Sequence, residues 1–194
     1  MLRSILTTFP RLALLSTTLI IGACASSPNT YSNVDSAVDF TQYKTFGFYE
    51  KLATDKENYE STESRYLKAA VTQEMESRGF THAESPDLKI NFYIDSEEKI
   101  RSRQTPTAGG YYGYRGSYGA WGGYETRIDQ YTEGTLNIDV VDPRTEKLVW
   151  EGAIVGKITQ DVLENLEAAI NEAVAVIYMN FPVQPMNQIP APAQ

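Results

Sequence analysis

Residues 135–154 read TLNIDVVDPRTEKLVWEGAI, and this stretch decides the fold. Leu136, Ile138 and Val140 alternate with Thr135, Asn137 and Asp139, the period-two pattern of a half-buried strand. Asp142, Pro143, Arg144 and Thr145 follow; Asp at the first position and Pro at the second both suit a type I turn. The return strand presents Leu148, Trp150 and Ile154 on one face, with Lys147, Glu151 and Lys157 on the other. An antiparallel hairpin with one apolar face has to bury that face against a second layer.

The flanking sequence supplies that layer. In residues 61–78, Tyr66, Leu67, Ala70, Val71 and Met75 fall at helical spacing and make one apolar stripe. Gly79 follows, where a left-handed residue ends many helices, and Phe80 is positioned to fold back on the last turn. A second helix opens at Asp161 with Glu164 three residues on, a capping-box-like start. Leu163, Leu166, Ile170, Ala173, Val174 and Ile177 form its stripe, and Phe181-Pro182 ends it. Residues 34–40 mix Val34, Val38 and Phe40 with acids, and residues 43–49 alternate aromatics, Phe46 and Phe48 on one side. Leu88, Ile90, Phe92 and Ile94 alternate strictly with Lys89, Asn91, Tyr93 and Asp95, a further half-buried strand. The order strand, strand, helix, strand, long loop, hairpin, helix predicts an α+β fold: a two-layer sandwich, mostly antiparallel sheet with two helices packed on one face.

The amino terminus carries an address. Residues 1–23 combine Arg3 and Arg11 with an apolar run of about ten residues, short of the roughly 20 a membrane span needs. The run stops at IGAC, residues 21–24, a branched apolar residue and two small ones before the only cysteine. Cys24 is therefore expected to be lipidated after removal of a signal peptide at 1–23, the alternative being a cut near Ala25 that leaves a free thiol. Acylation explains the odd cysteine of a secreted chain and removes the only thiol from catalysis. Diacyl and amide-linked chains hold firmly. By resemblance to Gram-negative lipoprotein sorting rules, Ala25 rather than Asp implies the outer membrane, with the domain facing the periplasm. Residues 24–33 are expected to be a flexible tether, 34–182 a single domain, and 183–194 a loose tail.

Charge and composition exclude several functions. The formal net charge is −8, and loss of residues 1–23 with their two arginines takes it to −10, which argues against nucleic acid. With His82 alone among histidines and Cys24 consumed, neither a zinc site nor a thiol enzyme is expected. No cofactor or metal is expected. Asp129, Glu133, Asp139 and Asp142 lie close in sequence, but nothing marks a catalytic pair.

One stretch resists regular structure. Residues 96–126 break the pattern, first with a charged piece at 97–103. Within residues 109–124 come seven Gly, five Tyr and one Trp, a composition costly to order. A Gly/Tyr-rich loop is expected at about 105–125. Tyr and Trp give amphipathic contact area and Gly gives adaptability, so Tyr111, Tyr112, Tyr114, Tyr118, Trp121 and Tyr124 are the candidate partner contacts, toward envelope proteins, glycans or the membrane interface. A disordered insert without a ligand is the plain alternative.

Several of these features together resemble a bacterial lipoprotein family of unknown function, domain-of-unknown-function family 4136. They are the lipobox, DFTQYKTF at 39–46, RGF at 78–80, PDL at 86–88, YTEGTL at 131–136 and KLVW at 147–150. The resemblance spans nearly all the chain after residue 23 and implies the address and the fold, with no catalytic residues. One departure is Glu146, where the family more often has Gly, implying a looser hairpin turn. The expected function is a non-enzymatic, lipid-anchored binding or assembly module of the cell envelope. A carboxylate-dependent enzyme on envelope polymers and a self-associating structural lipoprotein are the two alternatives.

Overall fold

The computed structural model describes residues 29–107 and 123–188. Six strands form one sheet in the order β1-β6-β5-β4-β2-β3: β1 Asn29–Val34, β2 Thr45–Phe48, β3 Thr81–His82, β4 Leu88–Thr107, β5 Gly123–Asp142 and β6 Lys147–Ile158. The ladders β1/β6, β6/β5 and β5/β4 are antiparallel, whereas β4/β2 and β2/β3 are parallel. The sheet is thus mixed rather than simply antiparallel. The parallel pairs arise because the chain leaves β2, crosses through a helix and returns in the same direction, as parallel neighbours require.

Three α-helices complete the described domain: α1 Thr62–Ser77, α2 Gln160–Glu164 and α3 Leu166–Tyr178. The single second helix expected from the sequence is broken at Asn165, whose ψ of 41° interrupts the spiral. Its start also differs. Thr159, not Asp161, is the N-cap, its hydroxyl accepting from the Val162 amide at 3.3 Å. Helix α1 follows expectation more closely. Ser61 caps it through the Ser64 amide, and Gly79 at φ 89° ends it. The Gly79 and Phe80 amides donate to the carbonyls of Glu76 and Met75, the paired closure of a Schellman motif.

The core is built from alternate residues of the strands. Phe46, Leu88, Ile90, Phe92, Ile138, Val140 and Trp150 are buried with Leu67, Val71 and Met75 of α1 and Ile170, Val174, Ile177 and Tyr178 of α3. Trp150, Tyr178 and Phe181 meet with ring centroids 5.0–5.4 Å apart. Arg78 ties the two long helices at their ends. Its guanidinium is buried and donates to the carbonyls of Glu74, Tyr178 and Val183 as well as to the Glu74 carboxylate.

Four boundaries differ from the sequence reading. Residues 29–33, expected in the tether, form most of β1, held by the β6 ladder and by the Trp150 indole donating to the Ser32 hydroxyl at 3.0 Å. Residues 35–39 are then a turn leading to a 3₁₀ turn at Phe40–Gln42. Val183 and the 3₁₀ turn Met186–Gln188 follow α3, with Met186 packed beside Gly79, so residues 183–188 are placed against the domain where a loose tail was expected. In the hairpin, a bulge between Val140 and Val141 shifts the return strand. Val149 is buried and Leu148 is 43% exposed, the reverse of strict alternation. The turn itself closes, the Thr145 amide donating to the Asp142 carbonyl at 3.3 Å, and Glu146 takes a left-handed φ of 54°.

Candidate functional site

The largest departure lies where the loop was expected. β4 and β5 pair without interruption from Lys89↔Val141 to Thr107↔Gly123. β2 accompanies β4 only as far as Phe48↔Ile90, and β6 accompanies β5 only as far as Thr132↔Ile158. From Lys99↔Tyr131 outward the two strands continue alone, a ribbon about 30 Å long at 3.3–3.4 Å per residue. Residues 96–107 and 123–126, expected to lack regular structure, are therefore strand. The rest of the expected loop, 108–122, lies outside the described residues, but Thr107↔Gly123 makes the arm's tip the place where it enters and leaves.

The arm has two distinct faces. Lys99, Arg101, Arg103 and Thr105 stand opposite Tyr131, Asp129, Arg127 and Glu125. This face is charged and encloses a recess of about 220 Å³. The Lys157 ammonium sits 4.3 Å from the centre of the Tyr131 ring at its base, a cation–π contact. The other face carries Ile100 and Ile128, 72% and 69% exposed, among Ser102, Gln104, Thr126 and Gln130. It continues downward into an apolar groove of about 210 Å³ between the sheet and helices α2 and α3, lined among others by Ile94, Leu136, Ile154, Ile158, Val162 and Leu166. Gly134 and Gly156 face each other across β5 and β6 at this point. A Cβ on Gly134 would stand 2.8 Å from Ile158 Cδ1, so glycine lets that isoleucine fold over the strand.

The sequence-derived candidates divide between the arm and regions outside it. Cys24, Tyr111, Tyr112, Tyr114, Tyr118 and Trp121 lie outside the described residues. Tyr124 falls in β5 opposite Pro106; its side chain is outside the description. His82 lies exposed on the edge strand β3, its ring 5.5 Å from Phe46 and 5.9 Å from Phe48. The four acids are spread along β5. Asp129 faces Arg101 on the arm, and Glu133 lies 4.0 Å from Lys99.

Asp142 serves the hairpin turn. It accepts from Tyr43, from the Arg144 amide and from the Arg144 guanidinium. The Arg144 hydrogen bonds hold its carboxyl below the usual range against the opposing effect of burial. Asp87 is lowered chiefly by the Lys44 amide, which it accepts at 2.9 Å. Asp139 goes the other way. Burial, and then the charge of Glu151 directly across the ladder, push it up. Sequence reading missed this Asp139–Glu151 pairing, because the bulge after Val140 alters any register counted from the turn. Among the described residues, no group of three or more His, Cys, Asp or Glu side chains is placed to hold a metal ion. No helix there is long and apolar enough to cross a membrane.

The fold and arm define a mixed-sheet domain with a projecting β-ribbon. The family model described as a domain of unknown function, DUF4136, matches residues 30–183, and the chain belongs to that family. No match was found among curated proteins. Among solved structures, the chain is similar to a PDZ domain protein from Parabacteroides distasonis, at a TM-score of 0.54 and 14% identity, over 81% of this chain. It spans only 36% of that longer protein, and the likeness shows a shared fold. Weaker likenesses are a PelC dodecamer from Paraburkholderia phytofirmans (TM-score 0.41, 8% identity, 78% of this chain and 98% of that one). Another is a minor lipoprotein from Acinetobacter baumannii (TM-score 0.36, 9% identity, 71% of this chain and 91% of that one).

Proposed function

We propose that this protein is a non-enzymatic module of the bacterial cell envelope, lipid-anchored at Cys24 on the periplasmic side of the outer membrane, that engages partners through its arm. The observation that carries the reading is the arm itself. A ribbon this long, stripped of neighbouring strands, has little value for burying a core, yet its tip, Thr107↔Gly123, is where the chain enters and leaves the Gly/Tyr-rich segment 108–122. In this reading the body is a two-layer sandwich, helices on one face, and serves as a rigid mount. Envelope proteins or glycans are the partners, met by Tyr111, Tyr112, Tyr114, Tyr118, Trp121 and Tyr124.

The anchor and the arm are tested separately. Mass spectrometry of the mature protein is expected to find acylated Cys24; an unmodified thiol refutes the anchor. Photocrosslinking in cells from position 112 or 121 is expected to capture partners that a probe at the exposed Glu57, on the body, does not. Equal capture from both places refutes the arm as the contact.

A second reading rests on Asp139 and Glu151. A raised carboxyl beside a second carboxylate is a general-acid arrangement. The groove next to Glu151, about 280 Å³ and lined by Tyr31, Asn33 and Asn137, gives a polymer somewhere to lie. Loss of envelope-polymer hydrolysis in both Asp139→Asn and Glu151→Gln variants would favour it over the binding module.

A further inference from the structure

Each strand of the arm has one side that its partner strand does not use. We propose that the free edge of β5, residues 123–131, pairs antiparallel with the same edge of a second copy of this chain, about a twofold axis at Ile128. Unpaired edges are templates for strand addition, and folded proteins commonly blunt them with shortness, proline or bulges. The outer strands of the sheet follow this habit: β1 has six residues and β3 two. The β5 edge does not. Once β6 leaves at Thr132↔Ile158, no described residue pairs with that side. Residues 123–131 contain no proline, and the β4 register runs to the tip without a shift.

The charges and the exposed isoleucines together choose the register. About a twofold axis normal to the ribbon, opposed residues share a face, so the pairing slides only in steps of two. With the axis at Ile128, Arg127 meets the partner's Asp129 on both sides, Thr126 meets the partner's Gln130, and Glu125 meets the partner's Tyr131. With the axis at Arg127, that residue meets its own copy and Glu125 meets the partner's Asp129. With the axis at Asp129, two aspartates meet. Like charges directly opposed are unfavourable, which disfavours the axes at Arg127 and Asp129. An axis at Thr126 also sets opposite charges together, Glu125 against the partner's Arg127, but only the axis at Ile128 combines opposite charges with contact between the two exposed isoleucines.

Two features of the single chain point the same way. Arg103 and Arg127 are register partners inside the arm, a like-charge pair that the partner's Asp129 would sit beside and offset. On the opposite face, Ile128 and its diagonal neighbour Ile100 are both largely exposed. Pairing sets Ile128 against the partner's Ile128 and joins both copies' isoleucines into one apolar strip. The surface is small, so the dimer is weak. Backbone hydrogen bonds and isoleucine contact hold it, while the charges exclude the registers centred on Arg127 and Asp129.

Sedimentation of the full chain carrying Cys24→Ser is expected to show a monomer–dimer equilibrium between about 10 μM and about 1 mM. Arg127→Glu and Asp129→Arg are each expected to weaken it about tenfold, and the two together to restore it to within about threefold. In the same background, Ile128→Cys is expected to form disulfide dimers on mild oxidation. Thr126→Cys alone is not, but Thr126→Cys mixed with Gln130→Cys is. A monomer at every concentration overturns the proposal. So does a dimer indifferent to the charge exchange, or crosslinking at 126 as fast as at 128.

Discussion

One antiparallel ladder, β4 with β5, contains two kinds of β-structure. In its inner part Leu88, Ile90 and Phe92 lie beside Ile138 and Val140, all essentially inaccessible to water. In its outer part, residues 100–105 and 125–130 are exposed on both faces. The hydrogen-bond pattern is continuous across the change, so a strand here is defined by its ladder and not by its burial. The inner part pins the register through its buried face, and the outer part inherits it. A two-stranded ribbon alone is marginal in water, and a ribbon polar on both sides specifies register weakly.

Four substitutions break or sharpen this contrast. Trp150→Ala removes the centre of the aromatic cluster and the indole that holds Ser32 of β1; urea denaturation is expected to show a loss of about 3–5 kcal/mol. A loss below about 1 kcal/mol would mean that the inner ladder is no better packed than the arm.

Asp142→Asn strikes the hairpin turn and is expected to cost about 1–3 kcal/mol at neutral pH. The Asp142 carboxyl titrates lower folded than unfolded. Its contribution is therefore present above the unfolded value near 3.9 and disappears as pH falls through the depressed folded value. The gap between native and variant should hold steady from pH 7 to about pH 5 and close below about pH 4. A gap that widens in acid contradicts the assignment.

Glu146→Gly is expected to stabilise the fold by about 0.5–1 kcal/mol, since glycine takes the left-handed φ without the Cβ penalty. Thermal melting reads this, and a lowered midpoint would show that the glutamate side chain contributes more than its backbone strain costs. Ile100→Ser, on the arm and measured at a dilution that keeps the chain monomeric, is expected to change stability by no more than about 0.5 kcal/mol. A larger loss would make the arm part of the cooperative core.

The sequence was legible where residues alternate against a core. The Leu88–Ile94 pattern, the α1 stripe with its Gly79 end, and the hairpin around Asp142 all appear in the structure because burial imposes a period on side-chain choice. The arm was illegible for the same reason. Glu97 to Arg103 has no apolar face to keep, so no period marks it as strand. Parallel pairing of β2 with β4 also leaves no local trace, and β3 has only two residues to show one. β1 was hidden because its sequence, NTYSNV, has the polarity of a linker; pairing with β6 and the bond to Trp150 come from residues more than a hundred positions away. The bulge after Val140 inverted the expected exposure of Leu148 and Val149 and concealed the Asp139–Glu151 pair. Composition alone picked out the aromatic residues, but it gave no sign that the segment holding most of them starts and ends at paired strand residues, Thr107 and Gly123.

The direction of β1 has a consequence for posture. Asn29 begins that strand opposite Val155, in the row that continues through Thr135 to Asp95, four residues short of Lys99↔Tyr131, where the arm departs. The mooring point and the arm thus leave the sheet from one end. Four residues lie between Cys24 and Asn29, five Cα-to-Cα steps that reach at most about 18 Å, shorter than the arm. If Cys24 carries lipid as proposed, the arm has no clearance to hang toward the bilayer, and the body must tip until the ribbon lies along the membrane surface. Two such ribbons would then search for each other in a plane rather than in a volume, where even a weak edge-to-edge fit is met often.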